Sequence, residues 1–149
     1  MKKGDDKIIS HLRSNARISL TKLSRETGIP VSTIFERIKM HEKEIIVKHT
    51  ALLDFFKMGY STRANITIKI DKKRRDDAAK YLRTHQNVNN VYKITNGYDF
   101  LIEGVFKNLL DLENFNEDLE DRFKVKNKQV YFVIQDIKRE GFMAEPNLI

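Results

Sequence analysis

Two stretches of the chain hold side chains whose types and spacing could do chemistry. The first is Ser32, Thr33, Glu36, Arg37 and Lys39, on a helix that reads as starting near Val31, with Lys43 at its end. Hydroxyls suit phosphate oxygens or base edges, and a guanidinium can fork onto guanine or grip a phosphate. Lys22 and Arg25, just upstream, add cations to the same neighbourhood. The second stretch is Thr95, Asn96, Gly97, Tyr98 and Asp99. A tight turn there exposes backbone N–H groups to a carboxylate, and Asp99 could take an ammonium, so the pair suits an amino acid zwitterion. The plainer reading of this second stretch is an ordinary turn. The plainer reading of the first is an amphipathic helix with a solvated basic face.

Other chemistry has no residues behind it. The chain has no Cys, which removes thiolate catalysis, disulfides and Cys-ligated zinc together. There is no Gly-rich phosphate loop, no HExxH and no serine nucleophile elbow. His11, His41, His49 and His85 are scattered, so no metal site and no cofactor are expected. Asp76-Asp77 and the acidic residues Asp118, Glu120 and Asp121 sit in charged helices, where solubility and first-turn dipole compensation account for them. An enzyme is not expected.

The elements that would position these residues follow from periodicity. Ile8, Ile9 and Leu12 mark a first helix after Asp5-Asp6. Ser19 can cap a second, holding Leu20 and Leu23 and ending at Gly28. Pro30 sits where a third begins, with Ile34, Phe35, Ile38 and His41 toward its inner face. Two helices joined by a tight turn containing Gly give the helix-turn-helix pattern. Beyond it, Ile45–Leu53 reads as a strand and 54–61 as a loop. Residues 64–70 alternate cleanly, with Ala64, Ile66, Ile68 and Ile70 on one face. A charged helix follows over 73–86, then strands over 88–95 and 98–106. Asn96-Gly97 between them is a strong hairpin signal, because a type I′ turn needs positive φ twice. Leu109, Leu112, Asn116, Leu119 and Phe123 mark another helix, its stripe broadened by Phe115, and 128–138 a last strand.

The order from residue 64 is βαββαβ, a ferredoxin-like unit, so the fold class is α+β. Its sheet would be covered by helices on one face only. Val130, Phe132 and Ile134 give a second apolar row, which suggests dimerisation through the sheets. The expected division is a helix-turn-helix DNA-binding domain over 1–45, a β-linker over 46–60 and an effector-binding and oligomerisation domain over 61–149.

The chain has 149 residues and a formal net charge of +7. Residues 1–50 hold 11 Lys+Arg against 6 Asp+Glu, so most of the excess lies in the first third. A local positive field favours a polyanion such as double-stranded DNA. The opening residues lack the apolar stretch of a signal peptide. No apolar run approaches the ~20 residues of a membrane span, and a cytoplasmic protein is expected.

The chain resembles the Lrp/AsnC (feast/famine) family of transcriptional regulators. The resemblance rests on Asp6-Lys7-Ile8-Ile9, Asn15-Ala16-Arg17-Ile18-Ser19, Leu23-Ser24-Arg25-Glu26-Thr27-Gly28-Ile29, Glu36-Arg37-Ile38-Lys39 and Thr50-Ala51-Leu52-Leu53-Asp54. Toward the end it rests on Thr95-Asn96-Gly97-Tyr98-Asp99-Phe100-Leu101 and Asp136-Ile137-Lys138. It implies a DNA-reading helix-turn-helix joined to a ferredoxin-like effector domain, dimers that often assemble as octamers, and amino-acid effectors near the hairpin tip. The chain departs from the family pattern in four places: His41 stands at an apolar position, the Gly after the third helix is missing, Asn96-Gly97 replaces Gly-Asp, and Val130 stands where Thr is common. The expected function is a sequence-specific DNA-binding regulator responsive to an amino acid. The alternative is a sensing or scaffolding oligomer that does not read sequence.

Overall fold

The structure, a computed structural model, describes residues 1–149. It contains two compact units, one formed by 1–52 together with 137–149, the other by 53–136.

The first unit is built on three helices, α1 (Asp5–Ser14), α2 (Leu20–Thr27) and α3 (Val31–Glu44). Ile8, Leu23 and Ile34, one from each helix, are fully buried together, with Leu12, Ile18, Leu20, Ile29 and Ile38 around them. The Ser19 side chain accepts a hydrogen bond from the Lys22 amide and caps α2. Gly28, at φ 71°, ends it in the left-handed conformation that costs glycine nothing. Phe35 does not join the core. Ile34, Ile38 and His41 already fill the inner stripe, and the next position round leaves Phe35 half exposed, with the Lys39 ammonium over its ring.

The tail joins this unit and not the second domain that the sequence pattern assigns it to. Arg13 of α1 donates to the backbone carbonyls of Glu140 and Phe142 and pairs with the Glu140 carboxylate at 3.3 Å. A short 3₁₀ turn, Pro146–Leu148, packs against α1.

The second unit is a four-stranded antiparallel sheet with two helices on one face. Its elements are β1 (Thr62–Ile70), α4 (Arg75–Thr84), β2 (Val88–Lys93), β3 (Phe100–Phe106), α5 (Leu109–Phe123) and β4 (Val125–Phe132), in strand order β2-β3-β1-β4. Ala64, Ile66, Ile68, Ile70 and Ile102 meet Ala78 and Leu82 of α4 and Leu112, Phe115 and Leu119 of α5 in one core. The expected ferredoxin-like order is present.

Three expectations about the strands are corrected. Ile45–Leu53 forms no strand: Ile45 caps α3, and the residues after it have no regular structure. A strand needs a neighbour for its N–H and C=O groups, and this chain supplies none there. The last strand stops at Phe132, not residue 138, because β1 begins at Thr62 and its last bond to this partner is Val133 N–H to the Arg63 carbonyl. Ile134 and Ile137 lie outside the sheet, almost fully exposed. Val130, Phe132 and Ile134 are therefore not the apolar row of the second face. Register puts Val130 and Phe132 opposite core-facing Ile66 and Ala64, while Tyr92, Leu101 and Tyr131 share the open face with Asn65, Thr67, Gln129 and Glu103.

Candidate DNA interface and effector site

Helix α3 begins after Pro30, whose fixed φ of −57° and missing N–H suit a helix start. From there Ser32, Phe35, Glu36 and Lys39 are exposed along one side, with Val31 at its head and Thr33 half-buried beside it. Lys22 and Arg25 are exposed on α2. A helix offering hydroxyls, a carboxylate, an ammonium and two apolar groups can meet base edges, phosphates and thymine methyls. Val31 and Phe35 were missed by pattern reading, since an apolar residue on an amphipathic helix scores as core.

Arg37 is placed differently. Its Nη1 donates to the Lys3 carbonyl at 2.9 Å and lies 3.2 Å from the Asp5 carboxylate. Asp5 is fully buried and also accepts from the Lys2 amide. His41 Nε2 lies 3.5 Å from the same carboxylate oxygen, too long for a well-formed hydrogen bond, and its Nδ1 is buried without a partner. Burial pushes the Asp5 carboxyl up, but the Lys2 amide, His41 and Arg37 outweigh it and hold it below the usual carboxylate range. Through Nη1, Arg37 thus fastens α3 to the start of α1.

The hairpin tip has the turn its sequence predicts. Asn96 and Gly97 both have positive φ, 68° and 85°, and the Ile94 amide bonds back to the Asp99 carbonyl. Thr95, Asn96 and Gly97 are exposed, and Tyr98 is half-buried with its hydroxyl accepting from Asn127 at 3.4 Å. Asp99 is buried and committed. Its Oδ2 accepts from the Ile70 amide at 2.9 Å, and its Oδ1 pairs with Arg75 at 2.8 Å. The side chain seats the hairpin against the end of β1 and the start of α4, buried with one partner already on each oxygen. No signal in the sequence marks Arg75 as its partner, because the two lie on elements that meet only through the fold.

The surroundings of the tip are basic. Lys93 precedes it, Lys72 and Lys73 lie on a 3₁₀ turn after β1, and Lys124 and Lys126 lie at the start of β4, at that end of the sheet, where Lys126, Lys73 and Arg74 help hold the Asp71 carboxyl low. The Lys73 backbone amide contributes most to that lowering. No three His, Asp or Glu side chains come together as a metal site.

Comparison with known proteins matches both halves. Residues 2–40 match the AsnC-type helix-turn-helix domain, and residues 63–142 match the Lrp/AsnC ligand binding domain. The chain is 36% identical over 112 residues to the HTH-type transcriptional regulator FL11 of Pyrococcus horikoshii, a span of 74% of each protein. It is 30% identical over 143 residues to an uncharacterized HTH-type transcriptional regulator of Pyrococcus abyssi, covering 95% of this chain and 97% of that one. Among solved structures it superposes with TM-score 0.86 on a transcriptional regulator of Neisseria meningitidis in complex with L-Met, at 27% identity over 93% of each chain. The fold is also that of LrpC of B. subtilis, TM-score 0.84 at 19% identity over 93% of this chain and 97% of that one. With a three-helix reader followed by a ligand-binding sheet domain, and both matched in order along one polypeptide, the chain belongs to the Lrp/AsnC family of DNA-binding transcriptional regulators.

Proposed function

We propose that the exposed side of α3, through Ser32, Thr33, Phe35, Glu36 and Lys39, enters the major groove, with Lys22 and Arg25 on flanking phosphates. The observation that carries this is the side chain layout of α3: its polar and cationic groups face outward while Ile34, Ile38 and His41 face in. The first compact unit is then the reader and the second the sensor. In this reading Arg37 supports the reading helix from behind. Selection of duplexes from a random pool, followed by competition at two salt concentrations, tests it. Binding should be specific and should weaken steeply with salt, because several phosphates are engaged. Equal affinity for selected and random duplex would leave a sensing oligomer that does not read sequence.

We propose further that a free amino acid or a close relative is the effector and that it binds at the tip, Thr95 to Asp99. The Neisseria relative's complex with L-Met and the matched ligand-binding domain support this. The carboxylate would meet the turn's N–H groups and the neighbouring lysines. Since Asp99 is committed to Ile70 and Arg75, the ammonium would need an acceptor from a second copy or from the tip's own carbonyls. A homodimer, or an octamer built from such dimers, fits the open sheet face, which carries Tyr92, Leu101 and Tyr131, and the exposed Val47 and Leu52. Sedimentation of the full chain as a monomer at micromolar concentration would remove the dimer. No helix is long and apolar enough to cross a membrane; a regulator acting on chromosomal DNA is placed in the cytoplasm.

A further inference from the structure

The chain passes between its two compact units twice, after Leu52 and after Asp136. One side chain reaches the neighbourhood of both crossings. Arg63, the second residue of β1, directs Nη1 to the Asp136 carboxylate at 2.8 Å, the last residue before the second crossing. Its guanidinium lies over the Phe55 ring, 5.6 Å from the centroid and three residues past the first crossing. Its Nη2 is fixed by Glu103 of β3 at 3.1 Å, and Glu103 in turn accepts from Asn90 of β2 at 2.7 Å. The Arg63 main chain adds to this, since its carbonyl accepts from the Val133 amide at 2.9 Å. Arg63 and Glu103 side chains are only 16% and 18% exposed, so the network is largely shielded from water.

We propose that Arg63 is the positioning residue that clamps both chain crossings to the sensor sheet, and so sets how a change in the sheet reaches the DNA reader. A planar fork is needed here. It must hold two carboxylates at once and present a flat face to an aromatic ring, which a lysine ammonium cannot do. The network starts on β2, which leads into the hairpin tip, and ends at the two crossings. Because those crossings are the covalent connections between the units, a shift of β2 against β3 pulls on both together through Glu103 and Arg63. The proposal rests on the reading of the first unit as a DNA reader, but its geometric half stands without it.

Limited trypsin digestion of the full chain supplies the test, because cleavable residues sit beside both crossings: Lys57 beside Phe55, and Lys138 and Arg139 beside Asp136. In Arg63→Gln, cleavage at both places should rise at least fivefold, while Lys80 within α4 keeps its wild-type rate. Arg63→Lys should fall between the two. Asp136→Asn, which keeps the Arg63–Glu103 pair, should free only Lys138 and Arg139. A selected duplex should slow cleavage at both places in wild type and leave Arg63→Gln unaffected. Unchanged cleavage at either place in Arg63→Gln overturns the clamp. If Arg63→Gln is cut faster everywhere, Asp136→Asn decides, and no change at Lys138 and Arg139 overturns it. A duplex that binds wild type without altering these rates overturns the transmission. Failure to bind any duplex is a failure of the DNA reading alone, and the cleavage pattern without duplex still decides the clamp.

Discussion

Asp5 and Asp99 are the two buried carboxylates, and each holds a unit's parts together through an arginine that pattern reading could not pair with it. Removing Arg37 would leave Asp5 buried with only the Lys2 amide and His41. Arg37→Ala should therefore cost about 3 kcal/mol of stability in the first unit. Faster amide exchange at Ile8, Leu23 and Ile34 would show it; an unchanged core with lost duplex binding would instead make Arg37 a direct DNA contact. The pH dependence has a definite sign. The folded Asp5 carboxyl titrates below its ordinary value, so its contribution is full above the ordinary range and is lost as pH falls below about 4. Asp99→Ala removes a charge-assisted bond from the Ile70 amide and the Arg75 pair, and should lower the unfolding stability of the sheet unit by about 2 kcal/mol with no ligand present. Were Asp99 only an effector ligand, the unliganded variant would be as stable as wild type. The sequence shows Asp99 as a carboxylate after a turn; that both its oxygens are already taken is a tertiary fact, set by the pairing of β1 with β3.

At the scale of elements, legibility follows how local each signal is. The cap at Ser19, the stop at Gly28, the turn at Asn96-Gly97 and the alternation over 64–70 are each settled by neighbouring residues, and each is found. Ile45–Leu53 and the end of β4 depend on a partner strand elsewhere, which no local pattern contains. In helix α5 the periodicity puts Asn116 on the inner stripe, and there it is buried, its Oδ1 without a partner. Where α4 meets α5, His85 packs edge-on to Phe115 at 4.8 Å and against Tyr81 at 5.3 Å. Burial, and secondarily Arg122, hold its imidazole below the ordinary histidine value against the pull of Asp118. The unfolded chain thus takes up a proton at His85 before the folded one does. Stability of the sheet unit should fall as pH drops below about 6.5 and level off once the folded histidine is also charged. His85→Gln should flatten that part of a stability-against-pH curve measured by urea unfolding; a curve of the same slope would exclude His85 as its source.

At the scale of the whole molecule, the tail shows what fixes a segment that has no periodicity of its own. Residues 137–149 follow the last strand and so read as part of the sheet domain, yet they lack the alternation of a strand and the stripe of a helix. Their place is fixed by Arg13, which binds two tail carbonyls and the Glu140 carboxylate. Glu140 and Met143 both have positive φ, 49° and 55°, a conformation that side chains other than glycine adopt at a cost. A tail held in this way is a folded part of the three-helix unit, not a loose end. Ending the chain at Asp136 should therefore weaken the first unit and spare the second. Amide exchange should quicken in α1 by tenfold or more and stay unchanged at Ile66, Ile68 and Ile102. Affinity for a selected duplex should fall in step, because α1 carries Asp5, and Asp5 anchors Arg37 of α3, the helix proposed to enter the groove. Arg13→Ala in the full chain should reproduce part of both effects, by roughly 1–2 kcal/mol for the charge-assisted bonds it removes. If the shortened chain keeps wild-type exchange in α1 and wild-type duplex affinity, the tail contributes nothing to the reader.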